Sequence, residues 1–127
     1  MRMPLPTRAL LALALACAMA GCGQTVRVGN SRHLVVALTE YRVTPETVRA
    51  YAGTLTITVR NAGTLTHNLV ISLGTQNEAF SPDLTPGTST TMTVDLAPGK
   101  YMLRSTISED QSLGLWGTLD VVATRKR

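Results

Sequence analysis

The sequence predicts an all-β fold, an antiparallel β-sandwich of about seven strands. Short runs after residue 32 alternate apolar and polar residues with a period of two, as strands with one buried face do. Gly, Pro and Asn separate these runs at the spacing typical of sandwiches. No segment after residue 22 has a convincing helical period, so helical bundles and α/β folds are excluded.

The clearest strand is 54–60, where Leu, Ile and Val lie on one face and Thr and Arg on the other. Turn residues follow it at 61–63. A loop is predicted over 74–87, which contains Gly, Asn, Ser and two Pro. The other predicted strands are 33–39, 43–50 (kinked at Pro45), 67–73, 91–96, 101–107 and 117–123.

The first 21 residues have the features of a secretory signal. Arg2 and Arg8 precede an apolar run over 9–18 that is too short to span a bilayer. The sequence Met19-Ala20-Gly21-Cys22 resembles a bacterial lipobox, which implies cleavage before Cys22 and acylation of that residue. Simple secretion and a retained anchor are the alternatives. The predicted organisation is signal peptide 1–21, tether 22–32, domain 33–123 and basic tail 124–127.

Length and charge narrow the functional classes. A chain of 127 residues supports one domain. Its net charge of +4 falls to +2 once Arg2 and Arg8 leave with the signal peptide. No basic stripe interleaved with aromatic residues remains, so no nucleic-acid partner is expected. Cys22 would be the one cysteine of the mature chain, which excludes a disulfide within the domain.

Two parts of the sequence carry a family resemblance. The first contains Pro45, Ala52-Gly53, Asn61, Gly63 and His67-Asn68, and the second is Pro98-Gly99-Lys100-Tyr101. A loop then follows in which Gly114 and Gly117 match the two glycines of the family pattern C-x-x-P-G-H-x-x-x-G-M-x-G. With these residues, 43–123 resembles the cupredoxins, the blue-copper β-sandwiches of plastocyanin and azurin type. The resemblance implies a Greek-key sandwich with a metal site near His67.

The ligand positions of that family are largely substituted here. Aligned without a gap, Ser105 stands at the Cys position, Asp110 at the second His position and Leu115 at the Met position. A type 1 copper site needs two imidazoles and a thiolate, and a serine hydroxyl is neither soft nor ionised near neutral pH. We therefore predict that the domain has no cofactor and, in particular, no copper. The positions His67, Ser105, Asp110 and Leu115 would be vestiges of a copper site. Blue-copper electron transfer is the least favoured function.

Three interpretations of these positions stay open. If the scaffold is kept, His67, Ser105 and Asp110 should converge, because ligands of one metal lie close together. They would then form a hydrogen-bonded polar cluster. Alternatively, His67 and Asp110, with Glu109 or His33, would hold Cu(II) or Zn(II) weakly. A Ser-His-Asp hydrolase is the third interpretation, although no oxyanion hole is indicated.

The loop before the last strand offers a partner surface. Leu113, Leu115 and Trp116 would form an apolar rim for a protein partner. The alternative is that Trp116 caps the core. We predict a monomeric, non-enzymatic binding or accessory module at the cell envelope. It would be extracytoplasmic and lipid-anchored through Cys22, in the periplasm or on the outer cell surface.

Overall fold

The computed structural model describes residues 24–124. The predicted signal peptide, Cys22 and residues 125–127 of the basic tail lie outside these residues. Between residues 24 and 124 there is no helix long and apolar enough to cross a membrane.

Among residues 24–124, ten strands form two sheets, which confirms the predicted sandwich while exceeding the expected seven strands. The six-stranded sheet has the order β1-β4-β10-β9-β6-β7 and the four-stranded sheet the order β3-β2-β5-β8. The strands are β1 (Val26–Arg27), β2 (His33–Thr39), β3 (Arg42–Thr44), β4 (Thr47–Tyr51), β5 (Gly53–Asn61), β6 (Val70–Leu73), β7 (Gln76–Phe80), β8 (Ser89–Leu96), β9 (Gly99–Arg104) and β10 (Trp116–Val122).

The sheets are mixed, whereas the sequence predicted antiparallel strands. β4 pairs in parallel with both β1 and β10, and β2 pairs in parallel with β5. The chain changes sheets from β3 to β4 and again from β4 to β5, so strands from distant parts of the chain become neighbours. Alternation within one strand reports which face is buried, and it carries no information about the direction of the neighbouring strand.

The core lies between the two sheets and is built from the alternating strands. In β5 Leu55, Ile57 and Val59 are buried, while the intervening threonines face outward. β10 alternates in the same way, with Leu119 and Val121 buried. The other core residues come from all layers of the sandwich: Leu34, Val36, Leu38, Val43, Val48, Ala50, Leu69, Ile71, Leu84, Val94, Leu96, Tyr101, Leu103 and Leu115.

Two strands lie where the sequence predicted none. β7 occupies part of the predicted loop 74–87. The sequence did not predict this strand, because its residues are almost all exposed and show no apolar alternation. Its backbone hydrogen bonds with β6 hold it at the sheet edge. β1 lies within the predicted tether and pairs with β4. The predicted strands 67–73 and 101–107 are shorter, beginning at Val70 and ending at Arg104.

We expect Gly117→Ala to destabilise the sandwich. A Cβ atom at Gly117 would lie 2.5 Å from the Glu46 carbonyl oxygen, which is backbone at the start of β4. The two strands would have to separate, at a cost of about 1–3 kcal/mol in the free energy of unfolding, measured by chemical denaturation. Gly29→Ala is the matched control, because a Cβ there has no neighbour within 4 Å. Equal stabilities of the two variants would contradict the prediction.

Candidate functional site

The site is built around the carboxylate of Asp110, in the loop between β9 and β10. Its Oδ2 atom accepts a hydrogen bond from Ser105 Oγ at 2.7 Å and one from His67 Nδ1 at 2.7 Å. Ser105 and His67 are fully buried and Asp110 is 5% exposed. A buried carboxylate is tolerated only when it is paired and hydrogen-bonded. The bond from His67 therefore fixes the 105–115 loop against the segment that precedes β6, while the bond from Ser105 holds Asp110 within its own loop.

Asn68 and Thr106 join the same two segments beside the carboxylate. Asn68 Nδ2 donates to Thr106 Oγ1 at 2.9 Å, and Asn68 Oδ1 accepts from the Thr106 backbone N–H at 2.8 Å. The backbone N–H of Asn68 also donates to Ser105 Oγ at 3.3 Å. Within residues 24–124, every buried side-chain nitrogen and oxygen has a hydrogen-bond partner. The cluster is thus fully satisfied, as a stable buried polar network requires.

Glu40, which sequence reasoning missed, completes the site from the end of β2. Its Oε1 atom accepts hydrogen bonds from the backbone N–H groups of Thr64 at 2.7 Å and Leu65 at 2.6 Å. The same oxygen lies 3.3 Å from His67 Nε2. Both imidazole nitrogens of His67 therefore face carboxylate oxygens. No local motif marks Glu40, since only the β2–β5 pairing brings it to His67.

The loop that binds Glu40 is shaped by the Asn-Ala-Gly turn noted in the sequence. Asn61 is fully buried, and its Nδ2 donates to the carbonyls of Leu65 and Leu84, both at 2.8 Å. Its Oδ1 accepts from the Gly63 backbone N–H at 2.9 Å. A Cβ atom at Gly63 would collide with the Glu40 carboxylate. A side chain at position 63 would therefore displace the Glu40 carboxylate from the loop that closes over it.

The loop around Glu40 also sets the charge of its carboxyl group. Partial burial would raise the pKa of Glu40, but the backbone N–H groups of Leu65 and Thr64 and the side chain of His67 stabilise the carboxylate. These hydrogen bonds outweigh burial and lower the pKa from 4.5 to about 2. Glu40 is therefore ionised beside His67 over the whole physiological range.

An open groove of about 360 Å³ lies beside the polar cluster, at the same end of the sandwich. Its apolar walls are Tyr41, Leu65 and Leu113, and Asp110 contributes to its floor. Leu65 and Leu113 are each 51% exposed, and Tyr41 is 37% exposed. Thr66, Ile107, Ser108 and Glu109 complete the lining. Three large apolar side chains exposed around one groove form a surface suited to binding.

The structure separates the residues that the sequence grouped as an apolar rim. Leu113 lines the groove, whereas Leu115 is fully buried in the core and offers no exposed surface. Trp116 is 42% exposed on the outer face of the six-stranded sheet, so it does not cap the core. His33 donates to or accepts from Thr58 at 2.8 Å at the far end of β2, away from His67.

The geometry of the cluster is not that of a hydrolase. The Ser105 hydroxyl donates to Asp110, which lies between the serine and the imidazole. A catalytic triad needs the imidazole between the nucleophile and the carboxylate, so that it can accept the hydroxyl proton. Ser105 is also fully buried and has no access to a substrate.

The family of the chain follows from its sequence as well as from its fold. Residues 9–114 match the family described as the cupredoxin-like domain. The chain belongs to this family. A sequence search among curated proteins finds no significant match.

Solved cupredoxin structures resemble this domain closely. Auracyanin from Roseiflexus castenholzii has a TM-score of 0.68 at 25% sequence identity, over 74% of this chain and 99% of that chain. Auracyanin A from Chloroflexus aurantiacus, a "blue" copper protein, has a TM-score of 0.63 at 18% identity, over 77% and 99%. Cu-containing nitrite reductase from Thermus scotoductus has a TM-score of 0.61 at 16% identity, over 80% of this chain and 28% of that enzyme.

These structures correct the prediction that the domain has no cofactor. Auracyanin A and the nitrite reductase are copper proteins, and one of them is an enzyme. The scaffold of this cupredoxin-like domain is thus one that copper proteins use. The fold therefore gives no ground for excluding copper as a ligand of this domain.

The side chains present in the cluster do not fit a type 1 copper centre. With Glu40, the cluster offers one imidazole, two carboxylates and one hydroxyl, whereas type 1 copper takes two imidazoles and a thiolate. Both cysteines, Cys17 and Cys22, precede the domain. Between residues 24 and 124, no group of three or more His, Cys, Asp or Glu side chains is arranged to hold a metal ion. Nitrogen and oxygen donors of this kind suit Cu(II) or Zn(II).

We expect Glu40 to make stability depend on acid pH. Because its pKa is lowered in the folded state, the carboxylate contributes stability that is present above about pH 4.5 and is lost as the pH falls towards 2. Glu40→Gln removes this contribution and flattens the stability profile over that window. The measurement is the urea midpoint of both proteins at several pH values. Glu46→Gln, at an exposed position, is the control, and equal profiles for all three proteins would refute the assignment.

Proposed function

We propose that this protein is an extracytoplasmic, lipid-anchored binding or accessory module that engages a partner protein at the cell envelope. The partner binds at the end of the sandwich that carries the polar cluster. The observation that carries the proposal is the groove walled by Tyr41, Leu65 and Leu113. The role is non-enzymatic, since the buried Ser105 and the order of the cluster offer no nucleophile.

The groove suits an apolar segment of a partner. Its walls stand on segments that the cluster holds in place: Leu65 lies in the loop bound by Glu40, and Leu113 in the loop bound by Asp110. A rigid apolar surface loses little conformational entropy on binding, which favours affinity. The polar cluster is then a support for the groove, and its hydrogen bonds hold the two walls at a fixed separation.

The anchor follows from the lipobox-like sequence that ends at Cys22. An acylated cysteine, carrying two or more chains, would hold the domain stably on a membrane surface. The protein then meets partners in or on the same membrane.

Photocrosslinking in cells tests the partner-binding role. A photoreactive residue at Leu65 or Leu113 should give the same defined crosslinked product, because both side chains line one groove. The same residue at Thr93, exposed on the outer face of the four-stranded sheet, is the control. Products at Leu65 and Leu113 that match those at Thr93 would refute a docking site in the groove.

A second candidate function is weak binding or carriage of copper or zinc by His67 and Asp110. It is favoured by the two carboxylates that face the ring nitrogens of His67. Calorimetric titration of Cu(II), Cu(I) and Zn(II) into the protein tests it. Binding at unit stoichiometry that is lost in His67→Ala and reduced in Glu40→Gln would establish the second function. Heats unaltered by either substitution would exclude this cluster as the binding site.

A further inference from the structure

The outer face of the six-stranded sheet carries exposed aromatic residues in a chain that has few. The chain contains five aromatic residues, of which Tyr101 is buried. Trp116 is 42% exposed, Phe80 69% and Tyr51 43%. All three belong to strands of this sheet, and none of them contributes to the groove. Aromatic side chains are the largest apolar groups available, so their exposure on one sheet indicates a surface that binds another molecule.

Two of these aromatic residues lie in one row that crosses four strands. Trp116 pairs with Arg104, Arg104 with Val70, and Val70 with Phe80. Directly paired residues point to the same face of a sheet, and neighbouring strands lie about 4.8 Å apart. The row therefore places an indole and a phenyl ring about 14 Å apart, and Arg104 stands on an intervening strand with its guanidinium hydrogen-bonded to neighbouring polar side chains.

A second row on the same face carries most of its positive charge. It runs through Arg27, Arg49, Asp120 and Lys100 on four adjacent strands. Arg49 donates to Asp120 at 3.2 Å, which leaves Arg27 and Lys100 in excess. With Arg104 in the first row, the two rows hold four cations and one carboxylate.

Arg27 and Arg49 form a region of positive charge that a bound anion would neutralise. They are direct partners in the β1–β4 ladder, so their like charges lie side by side on one face. Together with Tyr51 they line a surface pocket of about 120 Å³. An anionic group in this pocket would pair with both guanidinium groups, as phosphate does with clustered arginines.

The position of β1 brings this face to a membrane. Only Gly23, Gln24 and Thr25 separate Cys22 from β1, which limits the reach from Cys22 to the sheet to about 13 Å. The sequence alone had assigned a tether of about 30 Å to residues 23–32. An acyl anchor at Cys22 would thus hold the edge of the six-stranded sheet against the headgroups.

We infer that the outer face of the six-stranded sheet docks on the surface of an anionic bilayer. The cations of the second row pair with lipid phosphates, and Trp116 and Phe80 insert among the headgroups. Basic residues near a membrane attract anionic lipids, and tryptophan favours the interface. The inference rests on the proposed membrane attachment and adds an orientation to it. The groove around Leu113 then stays at the end of the sandwich, accessible to a partner.

The single tryptophan makes the inference directly measurable. The full chain is reconstituted in phosphatidylcholine vesicles with or without phosphatidylglycerol, and Trp116 emission is measured with lipids brominated near the headgroup. We expect a blue shift and strong quenching in the anionic vesicles, both reduced by high salt. Arg27→Gln with Arg49→Gln should lower the ratio of docked to undocked protein by about fivefold for each charge removed.

Arg60→Gln is the matched control, because Arg60 is exposed on the outer face of the other sheet. It should leave the quenching unchanged. Two results would overturn the inference. One is Trp116 emission that is unquenched in both kinds of vesicle. The other is quenching in the double variant Arg27→Gln with Arg49→Gln that equals the quenching in Arg60→Gln.

Two further measurements distinguish a failure of this orientation from a failure of the proposed lipid anchor. They are flotation of the same vesicles and the mass of the Cys22 peptide isolated from cells. A protein that lacks acyl chains in cells would contradict the lipid anchor, whatever the quenching shows. A protein that is acylated and floats, yet shows no quenching of Trp116, would contradict only the orientation.

Discussion

The buried carboxylate of Asp110 is the constraint on which the functional end of this sandwich depends. It accepts hydrogen bonds from Ser105 and His67, and so joins two loops that are more than 35 residues apart in the chain. Removing either donor would leave a buried polar group unsatisfied, at a cost of about 1–3 kcal/mol. The side chains paired with Asp110 are therefore held as a unit, and the groove walls attached to these loops are held with them.

Glu40 extends this network to the surface. It binds the backbone of the loop that carries Leu65 and also faces His67, so the imidazole lies between one buried and one partly exposed carboxylate. The ring therefore bridges two acids, and the loops at this end of the cupredoxin-like domain are held together by hydrogen bonds.

The proposed partners would meet two different surfaces of the domain, the end of the sandwich and the outer face of the six-stranded sheet. The end of the sandwich presents the apolar groove, while the six-stranded sheet presents cations and aromatic rings on its outer face. These surfaces do not share a residue, since Leu113 lines the groove and Trp116, three residues later, lies on the sheet. A domain built in this way can contact a membrane with one surface and a protein with the other.

The amino-acid sequence by itself determined the sandwich, most of its strands and the members of the polar cluster. Alternation within a segment identifies a buried face, and the resemblance to the cupredoxin loop pattern identified His67, Ser105 and Asp110. Tertiary structure decided what depends on pairing between distant segments. It placed Glu40 beside His67, buried Leu115, directed Trp116 to the outer face and added the polar edge strand β7. Strand neighbours are chosen by long-range backbone pairing, which side-chain periodicity along one segment does not encode.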